Sequence, residues 1–463
     1  MRPILVPLDR ILMNTHTQLR KLGLFDARVP RYTSYPTAPH FSDATNAGDV
    51  EGWLKALDPS QPISLYIHVP FCRRLCWFCA CRTQGTTTAG PVAAYVETLK
   101  TELSLLKAHI PEGIQIGHLH WGGGTPTLLG AEMIADLSAA IHDLAPFSER
   151  YEFSVEVDPN EVDDARLDAL AAAGMNRASI GVQDFDPAIQ ETIGRIQSYE
   201  ITKAAVDGLR ARGISSLNAD ILYGLPGQTP EKIAESVQKL LTLSPDRVAL
   251  FGYAHVPWMA RRQNMIPTDQ LPRPEERLDL FNVARDLFVW DDYVEIGIDH
   301  FAKKGDGLEV ALRTGTLHRN FQGYTDDKCP TMVGVGASSI AKYPQGFAQN
   351  HPATSKYQAA VRAGILPIAK GHTFSAEDHL RGRIIEALMC DFRVEAAELI
   401  QNYGLSQAGF DAFAKSVSDA FPDMLATSPE RIVILDVARP LTRMIARHFD
   451  AYDMTQAKHS SAV

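Results

Sequence analysis

The sequence predicts an α/β protein built on a parallel sheet. Between residue 63 and about residue 254, apolar strand-like runs alternate with stretches of helical periodicity. The chemically unusual residues fall just after those runs. Composition agrees: hydrophobic residues make up 45% and charged residues 22% of 463, a globular balance with ample material for a core. Strands separated by helices need crossover connections, and these produce parallel neighbours. Such a sheet is either open and doubly wound or a partial barrel. In both forms the active site is expected at the carboxyl ends of the strands.

The elements follow in order. Residues 1–60 hold little periodic structure and read as an N-terminal arm. Within it, Arg31-Tyr-Thr-Ser-Tyr-Pro-Thr-Ala-Pro carries two prolines among hydroxyl residues and predicts an extended segment. Strands are expected at Ile63–Val69, Ile116–Trp121, Glu152–Val157, Arg177–Val182, Leu217–Leu222 and Val248–Tyr253. Amphipathic helices are expected near 92–109, 131–143, 163–173, 199–211 and 229–242, with Pro230 and Glu231 suited to a first turn. Beyond residue 260 the alternation stops. Residues 275–290 predict a helix, 293–300 a strand, and 376–455 a mostly helical region with one apolar run at 431–435. The expected division is an arm at 1–60, a barrel domain with its extension at 61–360 and a helical domain at 361–463. Thr455–Val463 are expected to fray, and Met13 offers an alternative start.

Several classes drop out. Disorder, collagen-like repeats and small disulfide scaffolds do not fit the composition. Asp plus Glu outnumber Lys plus Arg by 55 to 45, so the net charge is −10, against a generic nucleic-acid binder. No apolar run reaches the roughly 18 residues of a membrane span. The opening residues are too short and too soon charged for a secretion signal. A cytoplasmic location is therefore expected.

Four of the six cysteines lie within ten residues: Cys72, Cys76, Cys79 and Cys81, while Cys329 and Cys390 stand alone. Disulfides do not fit a chain without an export signal. Structural zinc usually shows a second ligand pair, which is missing. A redox pair at Cys76 and Cys79 leaves Cys72 and Cys81 idle. Close-set soft thiolates suit an iron–sulfur cluster. Four ligands would close it; three would leave one iron open. Cys-x3-Cys-x2-Cys is the signature of the radical S-adenosylmethionine (SAM) superfamily.

The other strand ends carry weaker signals. Gly122-Gly-Gly lets the backbone approach a ligand, or is only a tight turn. Gly334 and Gly336 form a partial dinucleotide motif that reads better as a loop lining a pocket. Glu156 and Asp220, late in strands expected to be buried, need partners, either a ligand or a structural ion pair. Gln183 and Arg195 carry the same ambiguity. His68, four residues before Cys72, either faces the site or bonds to backbone.

Taken together, the motifs closely resemble the oxygen-independent coproporphyrinogen III oxidase family of the radical SAM enzymes, which acts in haem biosynthesis. The likeness rests on Pro30-Arg-Tyr-Thr-Ser-Tyr-Pro-Thr, Tyr66-Ile-His-Val-Pro-Phe-Cys with its cysteines, His120-Trp-Gly-Gly-Gly-Thr-Pro-Thr and Glu156-Val-Asp-Pro. It also rests on Gly181-Val-Gln-Asp-Phe, Asp220-Ile-Leu-Tyr-Gly-Leu-Pro, Tyr253-Ala-His and His318-Arg-Asn-Phe-Gln-Gly-Tyr. It spans roughly residues 28–455. The resemblance implies a three-quarter (β/α)6 barrel with an N-terminal arm and a helical C-terminal domain. It implies a [4Fe-4S] cluster on Cys72, Cys76 and Cys79, with Cys81 outside the ligand set, and two SAM molecules. Tyr66, Gly123 and Glu156 match contacts to the cluster-bound SAM. Phe78, Gly124, Thr125, Gln183, Arg195, Asp220, Ala254 and Ile340 match contacts to the second.

The implied reaction uses a 5′-deoxyadenosyl radical from SAM to take a hydrogen from a propionate β-carbon. Loss of an electron and CO2 leaves a vinyl group. Two rounds convert coproporphyrinogen III to protoporphyrinogen IX. Tyr66 and His68, beside the cysteines, are the candidate catalytic side chains. The arm at 31–36 is expected to cover the barrel mouth, and Arg31 and Arg319 to meet the substrate's carboxylates. An electron donor and a final acceptor are implied, nucleic acid and membrane partners are not, and the family suggests a monomer. A related haem chaperone is the main rival reading. The arm and Cys81 speak for the oxidase.

Overall fold

The computed structural model describes residues 16–452 and 460–462. Met13 and residues 455–459 and 463 lie outside them. By packing, the chain forms two compact units. One comprises Phe41–Gln270 and Asp327–Phe374; the other comprises the described residues up to His40, Leu271–Asp326 and the described residues from Ser375 on.

The first unit holds the parallel strands β1 (Ile63–Val69), β2 (Ile116–Gly123), β3 (Phe147–Val157), β4 (Arg177–Gln183), β5 (Ser216–Tyr223) and β6 (Arg247–Gly252). They pair in chain order, β1 with β2 through to β5 with β6. A doubly wound sheet reverses its strand order partway. Here the order never reverses, so right-handed crossovers carry every connecting helix to the same face, the winding of a barrel. The connecting helices are α1 (Gly90–Lys107), α2 (Ala131–Leu144), α3 (Asp164–Ala172), α4 (Tyr199–Ala211) and α5 (Pro230–Thr242).

These helices form where the periodicity places them. On α5, Ile233, Ser236, Val237 and Leu240 are buried along one stripe. Thr229 caps its start by accepting from the Lys232 N–H, with Pro230 in the first turn. Ser198 and Asp163 cap α4 and α3 in the same way. Strands β1 and β6 are buried along most of their length, as strands covered on both faces must be. On the far side of β1, β7 (Met332–Val335) adds in parallel. The antiparallel β8 (Ile340–Tyr343), β9 (Gly346–Asn350) and β10 (Ile368–Thr373) follow.

Several segments differ from expectation. Ala38–His40 is a 3-10 turn and not extended, and the third strand begins at Phe147. A short helix forms at Pro187–Thr192 where none is expected, and Ile368–Thr373 is a strand of this sheet inside the region expected to be helical. The N-terminal stretch contains a helix, Ala47–Lys55, closed by a capping box between Asn46 and Asp49. It buries only Val50 and Leu54, too few apolar positions to produce a clear periodicity. In the second unit, residues 293–300 are not one strand. Val294–Ile296 and His300–Ala302 form a tight antiparallel pair around Gly297.

The second unit is otherwise mainly helical, with Pro274–Trp290 and Ala376–Asp391 its longest helices. The apolar run at 431–434 becomes the middle strand of a small antiparallel sheet with Arg393–Glu395 and Leu425–Thr427. Tyr32 and Tyr35 of the arm are buried here. Tyr32 Oη donates to Asp450, and Tyr35 Oη accepts from the Ala451 N–H. The expected fraying does not extend to residues 460–462: Ala462 donates to Ala27 O at 2.8 Å, and Arg443 holds the Ser461 and Ala462 carbonyls.

Candidate active site

The site begins with the loop that leaves β1. Phe71–Cys72 pairs in parallel with Gln84–Gly85, so residues 72–85 form a closed loop at the carboxyl end of the sheet. Inside it Cys79 donates its N–H to Cys76 O. Trp77 donates its N–H to Ile193 O, and its ring lies against Gly194. Gly194 has φ +68°, and a Cβ there would meet the Trp77 ring at 2.9 Å, so glycine is required. The next residue, Arg195, is nearly buried. It donates to Cys76 Sγ at 3.6 Å and to Gly181 O at 2.9 Å, and pairs with Asp158 at 3.5 Å.

The thiols sit in contrasting environments. Burial pushes Cys72 up to about 11, although the Thr125 hydroxyl bonds to it; Cys76 and Cys79 lie within electrostatic range. Cys79 goes down to about 6, because Cys81 hydrogen-bonds its sulfur and because Arg262 and Arg195 add positive charge. Cys81 is exposed and also donates its N–H to Cys79 Sγ at 3.4 Å.

Could these residues hold an iron–sulfur cube? A single metal ion needs ligands converging on one point, and among the described residues no three His, Cys, Asp or Glu do so. A cube takes each thiolate on a different iron, so its ligands surround it. Three soft thiols on one loop, flanked by two guanidinium groups, suit an anionic cluster.

The parallel register sets Tyr66 opposite His120, and their rings stack at 5.8 Å. Tyr66 Oη lies 2.9 Å from His68 Nδ1. His68 is buried, which lowers its pKa and keeps it neutral. The glycine triplet ends β2. Gly123 has φ +109°, and a Cβ there would sit 2.4 Å from the His68 ring. Its N–H donates to Glu156 at 3.0 Å, while Gly124 and Thr125 donate to Val69 O and Phe71 O at 2.8 Å. The triplet therefore docks on the cysteine loop, and those N–H groups are used. Glu156 is not buried as expected: its side chain is 41% exposed, because it stands at the open end of β3.

On the other flank, the pairing of β4 with β5 slips between Gly181 and Gln183, which turns Gln183 to φ +69°. Gly181 faces Asp220, which accepts from Asn218 at 2.8 Å. Next in chain, Asp184 is fully buried and accepts from Ser236 and Gln228, so this half of the motif clamps α5. Ala254 follows β6, and its carbonyl and that of Phe78 both accept from Gln263 Nε2, at 3.0 and 2.7 Å. Ile340 opens β8, two residues after Ser338, whose hydroxyl lies 3.5 Å from His68 Nε2. The loop of Gly334 and Gly336 thus borders the site.

Gln263 and Arg262 carry no signal in the sequence. Gln263 is fully buried, and Arg262 bonds to Thr83, so both tie the cysteine loop down. They sit in a short 3-10 turn, Arg261–Met265, without periodicity.

Residues 66–240 match the family model of the radical SAM superfamily. That span takes in the cysteine loop and reaches from Tyr66 into α5, and radical SAM enzymes are the class that this fold and loop define. Relatives narrow it further. The chain is 59% identical to the oxygen-independent coproporphyrinogen III oxidase of Paracoccus denitrificans, across 97% of this chain and 100% of the relative. It is 54% identical to that of Cereibacter sphaeroides, across 94% and 97%. The solved coproporphyrinogen III oxidase of Escherichia coli, a radical SAM enzyme, superposes with a TM-score of 0.87 at 34% identity, covering 92% of this chain and 100% of that one. The chain belongs to the oxygen-independent coproporphyrinogen III oxidase family.

Proposed function

We propose that the chain performs the family's reaction, the oxygen-independent oxidation of coproporphyrinogen III in haem biosynthesis, with its chemistry centred on the loop of Cys72, Cys76 and Cys79. The products in this reading are protoporphyrinogen IX and CO2, two propionates having become vinyl groups. When bound, a [4Fe-4S] cluster and SAM supply the carbon radical that starts each round.

The observation that supports this most is the meeting of independent motifs at one strand end. Arg195, from the loop after β4, touches Cys76 in the loop after β1. Glu156, at the end of β3, holds the Gly123 N–H at the end of β2. The chain's own tasks follow. Cys72, Cys76 and Cys79 bind the cluster, and the hydrogen bonds from Cys81 favour the thiolate of Cys79. The half-exposed Glu156 carboxylate attracts the ammonium of the cluster-bound SAM, with Gly123 and Tyr66 beside it. Phe78, Gly124, Thr125, Gln183, Arg195, Asp220, Ala254 and Ile340 line the place of a second SAM. Tyr66 and His68 form a neutral hydrogen-bonded pair that holds a proton near the reacting carbon.

No helix among the described residues is long and apolar enough to cross a membrane. A cytoplasmic, monomeric enzyme served by a separate electron donor completes the proposal. Anoxic incubation of reconstituted protein with coproporphyrinogen III, SAM and a reductant should yield protoporphyrinogen IX. Stoichiometric haem binding without turnover would instead favour the chaperone reading.

A further inference from the structure

A cavity of about 410 Å³ opens beside Cys81, and no residue assigned above to the cluster or to SAM lines it. It lies between the returning arm of the cysteine loop, the turn at 259–262 and residues 352–354. Much of its wall is proline, alanine and methionine, among them Pro70, Ala260, Pro352 and the 72%-exposed Met259. Arg82, Arg261 and Arg262 also line it, and among the described residues no aspartate or glutamate does. On a chain with ten more acids than bases, that is a local reversal of charge.

The arginines are not equivalent. Arg262 is committed to Thr83. The side chains of Arg82 and Arg261 are exposed and make no hydrogen bond or ion pair with the described residues. The cavity also abuts the candidate catalytic pair: the Arg82 carbonyl lies 3.4 Å from His68 Nε2, and Ser338 belongs to both walls.

Guanidinium groups match carboxylates through paired N–H donors, and an apolar wall suits the face of a large ring. We propose that this cavity is a substrate subsite, in which Arg82 and Arg261 hold propionate carboxylates of the porphyrinogen while the Pro, Ala and Met wall packs against its ring. This rests on the proposed reaction, and it names the residues that select a multiply carboxylated substrate.

The test uses full-length protein reconstituted with its cluster and saturated with SAM. Coproporphyrin III, the stable oxidised form of the substrate, and its tetramethyl ester are titrated by fluorescence. Wild type should bind the acid more tightly than the ester. The double variant Arg82→Gln/Arg261→Gln should lose about tenfold or more in affinity for the acid, the scale expected for charge-assisted bonds, and should no longer distinguish acid from ester. Cluster absorbance reports that the variant is folded. A double variant that keeps the wild-type preference for the acid overturns the proposal. Wild-type turnover, measured in parallel, reports separately on the reaction itself.

Discussion

Arg195 Nη1 lies 3.6 Å from Cys76 Sγ, although 118 residues separate the two in the chain. The contact exists because the β4 strand end and the β1 loop share one end of the sheet, with Trp77 packed on Gly194 to hold the two segments together. Positive charge and hydrogen bonds at a cluster's sulfurs favour the more negative, reduced state. Replacing Arg195 with Gln should therefore lower the cluster's reduction potential. Redox titration followed by electron paramagnetic resonance measures this. An unchanged potential would argue that the guanidinium does not act on the cluster.

Glu102, on α1, is fully buried and accepts from the Gly336 N–H, Asn350 Nδ2 and Tyr357 Oη. Burial pushes its carboxyl up to about 7 against those bonds. An unfolded glutamate titrates near 4.3. Between those values the native state binds more protons than the unfolded state, so this group's contribution to stability falls as pH rises from about 4.3 to 7. The total is on the order of 3 kcal/mol. Glu102→Gln cannot titrate. Its stability curve, measured by denaturant unfolding at several pH values, should lack this fall relative to wild type. Parallel curves would show that Glu102 titrates normally.

Gln263→Ala leaves the Val256 N–H without its acceptor and the Phe78 and Ala254 carbonyls without their donor. A buried group left unpaired costs about 1–3 kcal/mol. Thermal unfolding should therefore shift down by several degrees, and cluster iron should be lost faster to a chelator. Gln263→Glu should not rescue, because a carboxylate cannot donate to both carbonyls.

Gly123→Ala should retain cluster iron yet lose about a hundredfold in turnover. The new Cβ falls 2.4 Å from the His68 ring at a φ of +109°, which displaces His68 and Tyr66 by an ångström or so. Iron content and turnover on one preparation check this. Near-normal turnover would remove His68 from the reacting arrangement.

The sequence revealed the sheet well, because its strands are buried apolar runs and its helices carry one apolar stripe each. The cysteine loop was visible because soft ligands at that spacing have few other uses. Other features depend on packing between distant segments. Gln263 gives no signal, since a buried glutamine in a 3-10 turn looks like any polar loop residue until its partners are known. Glu156 is expected to be buried from sequence, because strand ends and strand middles look alike there, yet its side chain is 41% exposed. The compact unit that joins the arm to 271–326 and the C-terminal region is likewise invisible to a linear division. The helix Ala47–Lys55 carries a capping signature, Asn46 with Asp49, but buries only Val50 and Leu54, too few apolar positions to show a helical period.

The account turns on three thiolates with one iron left open. Iron and sulfide should be counted in anoxically reconstituted Cys72→Ala, Cys76→Ala, Cys79→Ala and Cys81→Ala proteins. The first three should each lose the cluster, and Cys81→Ala should keep the wild-type content. A Cys81→Ala protein as depleted as the others would contradict the account, because four ligands would close the cluster to SAM.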